Sequence, residues 1–257
     1  GDSWSPEFSR FLGSRGLISL PWPVEYGGSG LNHMKQMIFN EEVGDLNAPI
    51  GAHRRGLFYA APILMIYGTE QQKKEYLPRI AAGEAFFCQG FSEPGAGSDL
   101  ASLQTKAIRQ GDNYVVNGSK IWTSDGHRAE YMFLAARSDP DAAKHRGISN
   151  FLVDMKYPGI AVSPIVNMAG VHSFNQIFFD NVSIPANMLV GEEGKGWYQT
   201  AAALDFERSS ITSFAAVART VKRYVAQLRE ERLVPSEAGR RELASPAVDG
   251  GGGLLMA

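Results

Sequence analysis

The pattern of this chain changes twice along its length, and those changes constrain the fold more than any single motif. Between about residues 86 and 190, short β-prone runs recur between turn signals: residues 86–91, 103–108, 114–116, 120–123, 131–136, 148–153 and 176–182. Gly111, Asp112 and Asn113 make a turn, and Asn117-Gly118 is the strongest short hairpin signal available. This spacing predicts a compact antiparallel sheet domain, a barrel or a sandwich. Residues 139–146 are polar and predict an exposed loop.

Residues 1–85 read instead as helices joined by loops. The prolines and glycines of PWPVEYGGSG (21–30) cannot be helical. Asn32 can cap a helix carrying Met34, Met37, Ile38 and Val43, read as core positions. Residues 60–67 are mostly apolar and predict burial. Thr69 with Gln72 makes a capping box, and Gly83 ends the helix after it. After the GEEGKG turn (191–196), residues 197–232 contain no proline or glycine, enough for about 54 Å of helix. That length suits a bundle or another subunit better than one small domain. Trp197, Phe206, Phe214, Val217 and Val221 read as a face built to be covered. The tail, 245–257, has no packing pattern and predicts disorder. The fold class is α+β: an N-terminal helical domain (1–85), a middle β-domain (86–190), and the start of a C-terminal helical bundle with a glycine-rich tail (191–257).

Bulk properties exclude some functions. A formal net charge of −2 gives no electrostatic case for nucleic acid or an anionic membrane. No apolar run reaches the roughly 18 residues of a membrane helix. The one cysteine, Cys88, permits no intrachain disulfide, fits a reducing compartment and reads as a buried strand thiol. The histidines show no metal-ligand spacing, and His172 reads as a hydrogen-bonded turn residue.

Residues 95–100 (GAGSDL) come close to a dinucleotide fingerprint. Leu100 replaces the third glycine, and the chain goes on as strand, turn, strand where a helix should open, which argues against a nicotinamide site. Another phosphate role, or a purely structural turn, stays open. Residues 120–126 (KIWTSDG) place an indole beside hydroxyls, as a planar heterocycle would require, though from these residues alone core packing is the commoner reading.

Six segments in order resemble the acyl-CoA dehydrogenase family: WPVEYGGSG (22–30), YGTEQQK (67–73), CQGFSEPGAGS (88–98), NGSKIWTS (117–124), FNQIFFDNV (174–182) and DFER (205–208). Together they cover roughly residues 15–230. The resemblance implies a helical domain, a β-domain and a four-helix bundle, of which this sequence carries only the first helix, with FAD between the last two. It implies that Gln89, Phe91 and Ser92 line the flavin and that Trp122, Thr123 and Ser124 flank it, with the Ser124 hydroxyl near N5. Ser98 would contact the CoA side of the substrate, and Asp205 and Arg208 its adenosine end. Glu207 would be the base that removes the α-proton of an acyl-CoA while the β-hydride passes to the flavin. The implied partners are an acyl-CoA, an electron-transfer flavoprotein or similar acceptor, and further subunits in a homo- or hetero-oligomer, dimer or tetramer. The implied location is a bacterial-type cytoplasm, with the mitochondrial matrix open. Two alternatives stay open: a non-catalytic or partial subunit of a heteromeric complex, and an acyl-CoA oxidase-type flavoenzyme.

Overall fold

The structure, a computed structural model, describes residues 3–207, 211–234, 236–242 and 244, without the side chains of 203–213. The expected tail at 245–257 lies outside the described residues. Helices α1 (Pro6–Ser14), α2 (His33–Leu46), α3 (Gly51–Arg55), α4 (Ala61–Tyr67) and α5 (Glu70–Ala81) build the N-terminal layer. Each expected cap forms. Asn32 Oδ1 accepts from Lys35 N at 3.1 Å, and Thr69 and Gln72 make a reciprocal capping box. Gly83, at φ +69°, closes the end of α5 in the left-handed region that glycine tolerates. One π turn, Gly56–Ala60, joins α3 to α4.

Expected burial holds for Ala60, Ala61, Ile63 and Leu64 but not for the last turn of α4, where Ile66 and Tyr67 are exposed. Met34 and Ile38 are a second correction. Both are exposed on α2, whose own buried residues are Val43 and Gly44.

The β-domain is one eight-stranded sheet. Its strands are β1 (Phe87–Gly90), β2 (Lys106–Gln110), β3 (Asn113–Ser124), β4 (Tyr131–Arg137), β5 (Ile148–Asp154), β6 (Ile160–Val166), β7 (His172–Pro185) and β8 (Leu189–Val190). The order is β6-β7-β3-β2-β4-β5-β8, with β1 paired to β4. All pairs are antiparallel except β1 and β2 against β4. Strands β4 and β5 are buried along almost their whole length because both faces are covered. Phe133 and Leu152 face the helices and join Leu64, Leu77, Ile80 and Phe87. Met132, Leu134, Phe151 and Val153 face the other way, toward Tyr114, Ile177 and Val182. Each such side chain contributes roughly 1.5–3 kcal/mol on burial.

The hairpin expected at Asn117-Gly118 does not form. Residues 114–116 and 120–123 belong to one strand, β3, and the pair makes a bulge against β7 between Val116 and Gly118. Gly118 has φ +144°, and a Cβ there would lie 2.8 Å from Thr105 Cα. The Asn117 carboxamide bridges the gap, accepting from Asn181 N at 2.9 Å. The same local freedom that favours a two-residue turn here serves a bulge instead. Strand β6 is an element the sequence pattern misses: it is mostly exposed and carries Pro164, as edge strands can.

Beyond the sheet, α6 (Gly196–Glu207) and α7 (Ile211–Glu230) cover the expected long helix, with residues 208–210 outside the described residues. Buried Asn150 seats α6: its Nδ2 donates to Gly196 O and Gln199 Oε1, both at 3.0 Å. Helix α7 finds its neighbour inside the chain, at α2. Arg219 donates to Gly44 O and, at 2.9 Å, to Asp45 O, the last carbonyls of that helix. Of the face expected to need cover, Trp197, Phe214 and Val221 are half-buried and Val217 is exposed. The side chain of Phe206 lies outside the described residues. No helix among the described residues is long and apolar enough to cross a membrane.

Candidate functional site

Two strand ends build the site. The first is β1 with the turn after it, residues 87–98. Its glycines are informative because the chain's own packing does not demand all of them. At Gly90 a Cβ would lie 2.3 Å from Met132 Sδ, so a larger residue there would have to push the Met132 side chain aside. At Gly95 and Gly97 a Cβ would meet nothing within 4 Å, and neither residue has a positive φ. Their backbone is open to approach from outside, as a phosphate cradle requires. Glu93 N and Ala96 N each bond the other's carbonyl, at 2.7 and 3.0 Å, closing the turn beneath them. Ser98 stands exposed at its far end.

The second is the end of β3. Here β3 carries an extra residue against β7, since Lys120 pairs with Ile177 but Thr123 with Asn175. Trp122 absorbs the bulge at φ +61°. A bulky residue held in that region costs about 1–3 kcal/mol. The result is an indole that is 58% exposed, standing edge-on to Phe174 with centroids 6.1 Å apart. Ile121 N donates to Ser92 O at 2.9 Å, which brings the two segments together.

One buried ion pair locks them. Lys120 Nζ lies 2.7 Å from Glu93 Oε1 and 3.0 Å from Phe91 O. Gln104 N and Thr105 N donate to the same carboxylate at 2.6 and 2.9 Å. Burial works against both charges, pulling Lys120 down to about 8 although Glu93 raises it. Burial would also push Glu93 up, yet the Lys120 ammonium and the hydrogen bonds outweigh it and hold the carboxyl below its ordinary range. The carboxylate is the charge that the fold secures, and at neutral pH the pair is ionised.

Of the residues read from the sequence, Gln89, Phe91, Ser92, Trp122, Thr123 and Ser124 lie along these two adjoining segments. Gln89, Ser92 and Ser124 are half-buried. The Phe91 ring turns toward the helices, edge-on to Tyr59 and Phe133 at 6.4 and 6.3 Å. Thr123 points inward: it is 2% exposed and its hydroxyl has no hydrogen-bond partner. Asp205 and Glu207 have their side chains outside the described residues, and Arg208 lies outside them altogether. Cys88 is buried, with its thiol pushed up to about 12 by that burial. No group of three or more metal-ligating side chains occurs among the described residues.

Sequence reasoning passed over Glu93, Lys120, Asn175 and His127. The first two left a signal, since each is the single charge in its segment, 86–98 or 113–124. Asn175 and His127 left none; tertiary contact alone joins them. Burial first, then the neighbouring His172 and Arg128, hold the His127 imidazole below its ordinary range.

A helical layer packed on a largely antiparallel sheet, with paired strand ends bearing these segments, defines an α+β chain of the acyl-CoA dehydrogenase type. Residues 2–84 match the family model "Acyl-CoA dehydrogenase, N-terminal domain" and residues 88–182 match "Acyl-CoA dehydrogenase, middle domain". The chain belongs to the acyl-CoA dehydrogenase family. It is 45% identical to acyl-CoA dehydrogenase FadE29 of Mycobacterium tuberculosis over 77% of this chain and 51% of the relative. It is 36% identical to acyl-CoA dehydrogenase IpdE1 of Mycolicibacterium smegmatis over 94% of this chain and 67% of the relative. Among solved structures, one described as "Tcur3481-Tcur3483 steroid ACAD" superposes with a TM-score of 0.87 at 38% identity, covering 93% of this chain and 62% of its own. The chain thus spans between 51% and 67% of the length of these proteins.

Proposed function

We propose that this chain carries the flavin-facing wall of an FAD-dependent acyl-CoA dehydrogenase. The observation that supports the reading best is Trp122, a large exposed aromatic kept at φ +61°. Strain of that kind is retained where a site needs it. The open backbone at Gly95 and Gly97 fits the same group. In this reading Trp122 offers a stacking face, Ser92 and Ser124 offer hydroxyls to the ring edge, and Gln89 and Phe91 close the wall. Ser98, on the open turn, meets the CoA portion of the substrate, as do Asp205 and Arg208. Bound FAD supplies the acceptor for the β-hydride. Glu207 takes the α-proton, and a carboxylate does so better when desolvated beside a hydrogen-bonded thioester carbonyl. Thr123 contributes through its backbone, because its side chain points into the core.

The similar structure described by two names joined as one ACAD favours a second reading, in which the chain works as one subunit of a heteromeric enzyme. The same description makes a steroid-derived acyl-CoA the first substrate to try. In the test, purified protein is titrated with FAD, then mixed anaerobically with acyl-CoA. Bleaching that Glu207→Gln abolishes while FAD stays bound supports the first reading. FAD binding that needs a co-expressed partner supports the second. A chain that binds no FAD alone or with such a partner removes both.

A further inference from the structure

Backbone strain that persists has to be held, and at Trp122 a side chain does the holding. Where β3 carries its extra residue, the Thr123 carbonyl accepts from Asn175 Nδ2 at 2.9 Å. Asn175 is fully buried and sits opposite Thr123 in the register. A carbonyl only accepts, so the Asn175 carboxamide must turn its nitrogen toward Thr123. Its Oδ1 then faces His172 Nε2 at 2.7 Å, and its nitrogen also faces His127 Nδ1 at 3.2 Å. This orientation dictates both tautomers: His172 Nε2 carries a proton and His127 Nδ1 does not. The two imidazoles stack, with centroids 3.8 Å apart and 20° between their planes. Beside them, Gly126 leaves no room for a larger residue without a shift, since a Cβ would come within 3.0 Å of Thr123 Cγ2.

We propose that Asn175 is a positioning residue for Trp122, Thr123 and Ser124. Its amide, oriented by His172 and His127, holds the Thr123 carbonyl and with it the left-handed turn that presents the indole. The functional consequence rests on the proposed flavin wall; the positioning itself does not.

The first test needs no variant. Imidazole 15N shifts of the wild-type chain at neutral pH should show an unprotonated Nδ1 on His127 and a protonated Nε2 on His172. The opposite tautomer on either ring overturns the proposal. The second test reads the backbone of Trp122 in Asn175→Ala by three-bond coupling and backbone shifts. Trp122 should leave positive φ; a folded variant that keeps it there overturns the proposal. FAD titration of the same samples separates the two ideas. On the flavin reading, the dissociation constant should rise about tenfold in Asn175→Ala, the worth of one buried hydrogen bond. Equal affinity with Trp122 displaced supports the positioning role and removes the flavin wall. Equal affinity with Trp122 in place removes the positioning role.

Discussion

Lys120→Met keeps most of a fully buried side chain and removes only its charge. The Glu93 carboxylate would remain, with a side chain 7% exposed and two backbone donors but no counter-charge. Phe91 O would lose its donor as well. Removing one partner of a buried pair costs about 3–5 kcal/mol, mostly from the charge left behind. The double variant Lys120→Met with Glu93→Leu removes that charge, so it should lose less than the two single losses added together. It should not return to wild type. Gln104 N and Thr105 N would then face an apolar side chain, and an unmet buried donor costs about 1–3 kcal/mol. Urea unfolding monitored by far-UV circular dichroism, with all variants at one pH, measures these differences. The folded Glu93 carboxyl sits below its ordinary 4.5, so its stabilisation is present above that pH and lost as pH falls through the lower folded value. Glu93→Gln should therefore flatten the acid limb. A loss under about 1 kcal/mol for Lys120→Met, or a double variant as stable as wild type, would refute the view that this pair locks the two segments.

Other contacts give three further expected outcomes. His53 is buried beside Ser9, and burial lowers its pKa to about 4 from 6.5, so stability should fall by roughly 3 kcal/mol as pH drops from 6.5 to 4. In His53→Gln, which cannot titrate, an unchanged slope over that window would show that other groups carry it. Gln72 caps α5 and also donates to Asn187 O and Leu189 O at 2.8 and 2.9 Å, so Gln72→Ala should cost about 2–4 kcal/mol and speed hydrogen exchange on both sides of the layer boundary. Exchange confined to α5 would contradict the bridging role. Thr123→Val removes a buried hydroxyl without a partner and should be neutral or stabilise by up to about 1 kcal/mol, with FAD affinity unchanged. A drop in FAD affinity would mean that the hydroxyl serves the ring.

Local signals were legible where the physics is local. Asn32, the Thr69–Gln72 box and Gly83 mark helix ends because each satisfies, or frees, backbone groups within a few residues of itself. The strand run at 131–136 could be read because continuous apolar sequence demands cover on both faces. The GAGSDL turn lost its nicotinamide reading because the residues after Leu100 alternate as strand, turn and strand instead of opening a helix. The Asn117-Gly118 signal misled because a two-residue turn and a bulge ask for the same backbone freedom, and Thr105 and Asn181, distant in sequence, decide between them. Exposure of Met34 and Ile38 was hidden for a related reason: helical spacing shows that a face is apolar, not what lies against it.

By itself the sequence determined the order of layers, the caps, the burial of Cys88 and the two segments that carry the family likeness, since composition and spacing act over short range. Tertiary structure alone decided that α7 lies on α2, that Glu93 and Lys120 share one buried pocket, and that a bulge turns Trp122 outward. Those outcomes depend on which distant groups meet in a space without water, where an unpaired charge or carbonyl is too costly to leave and each must find its partner across the fold.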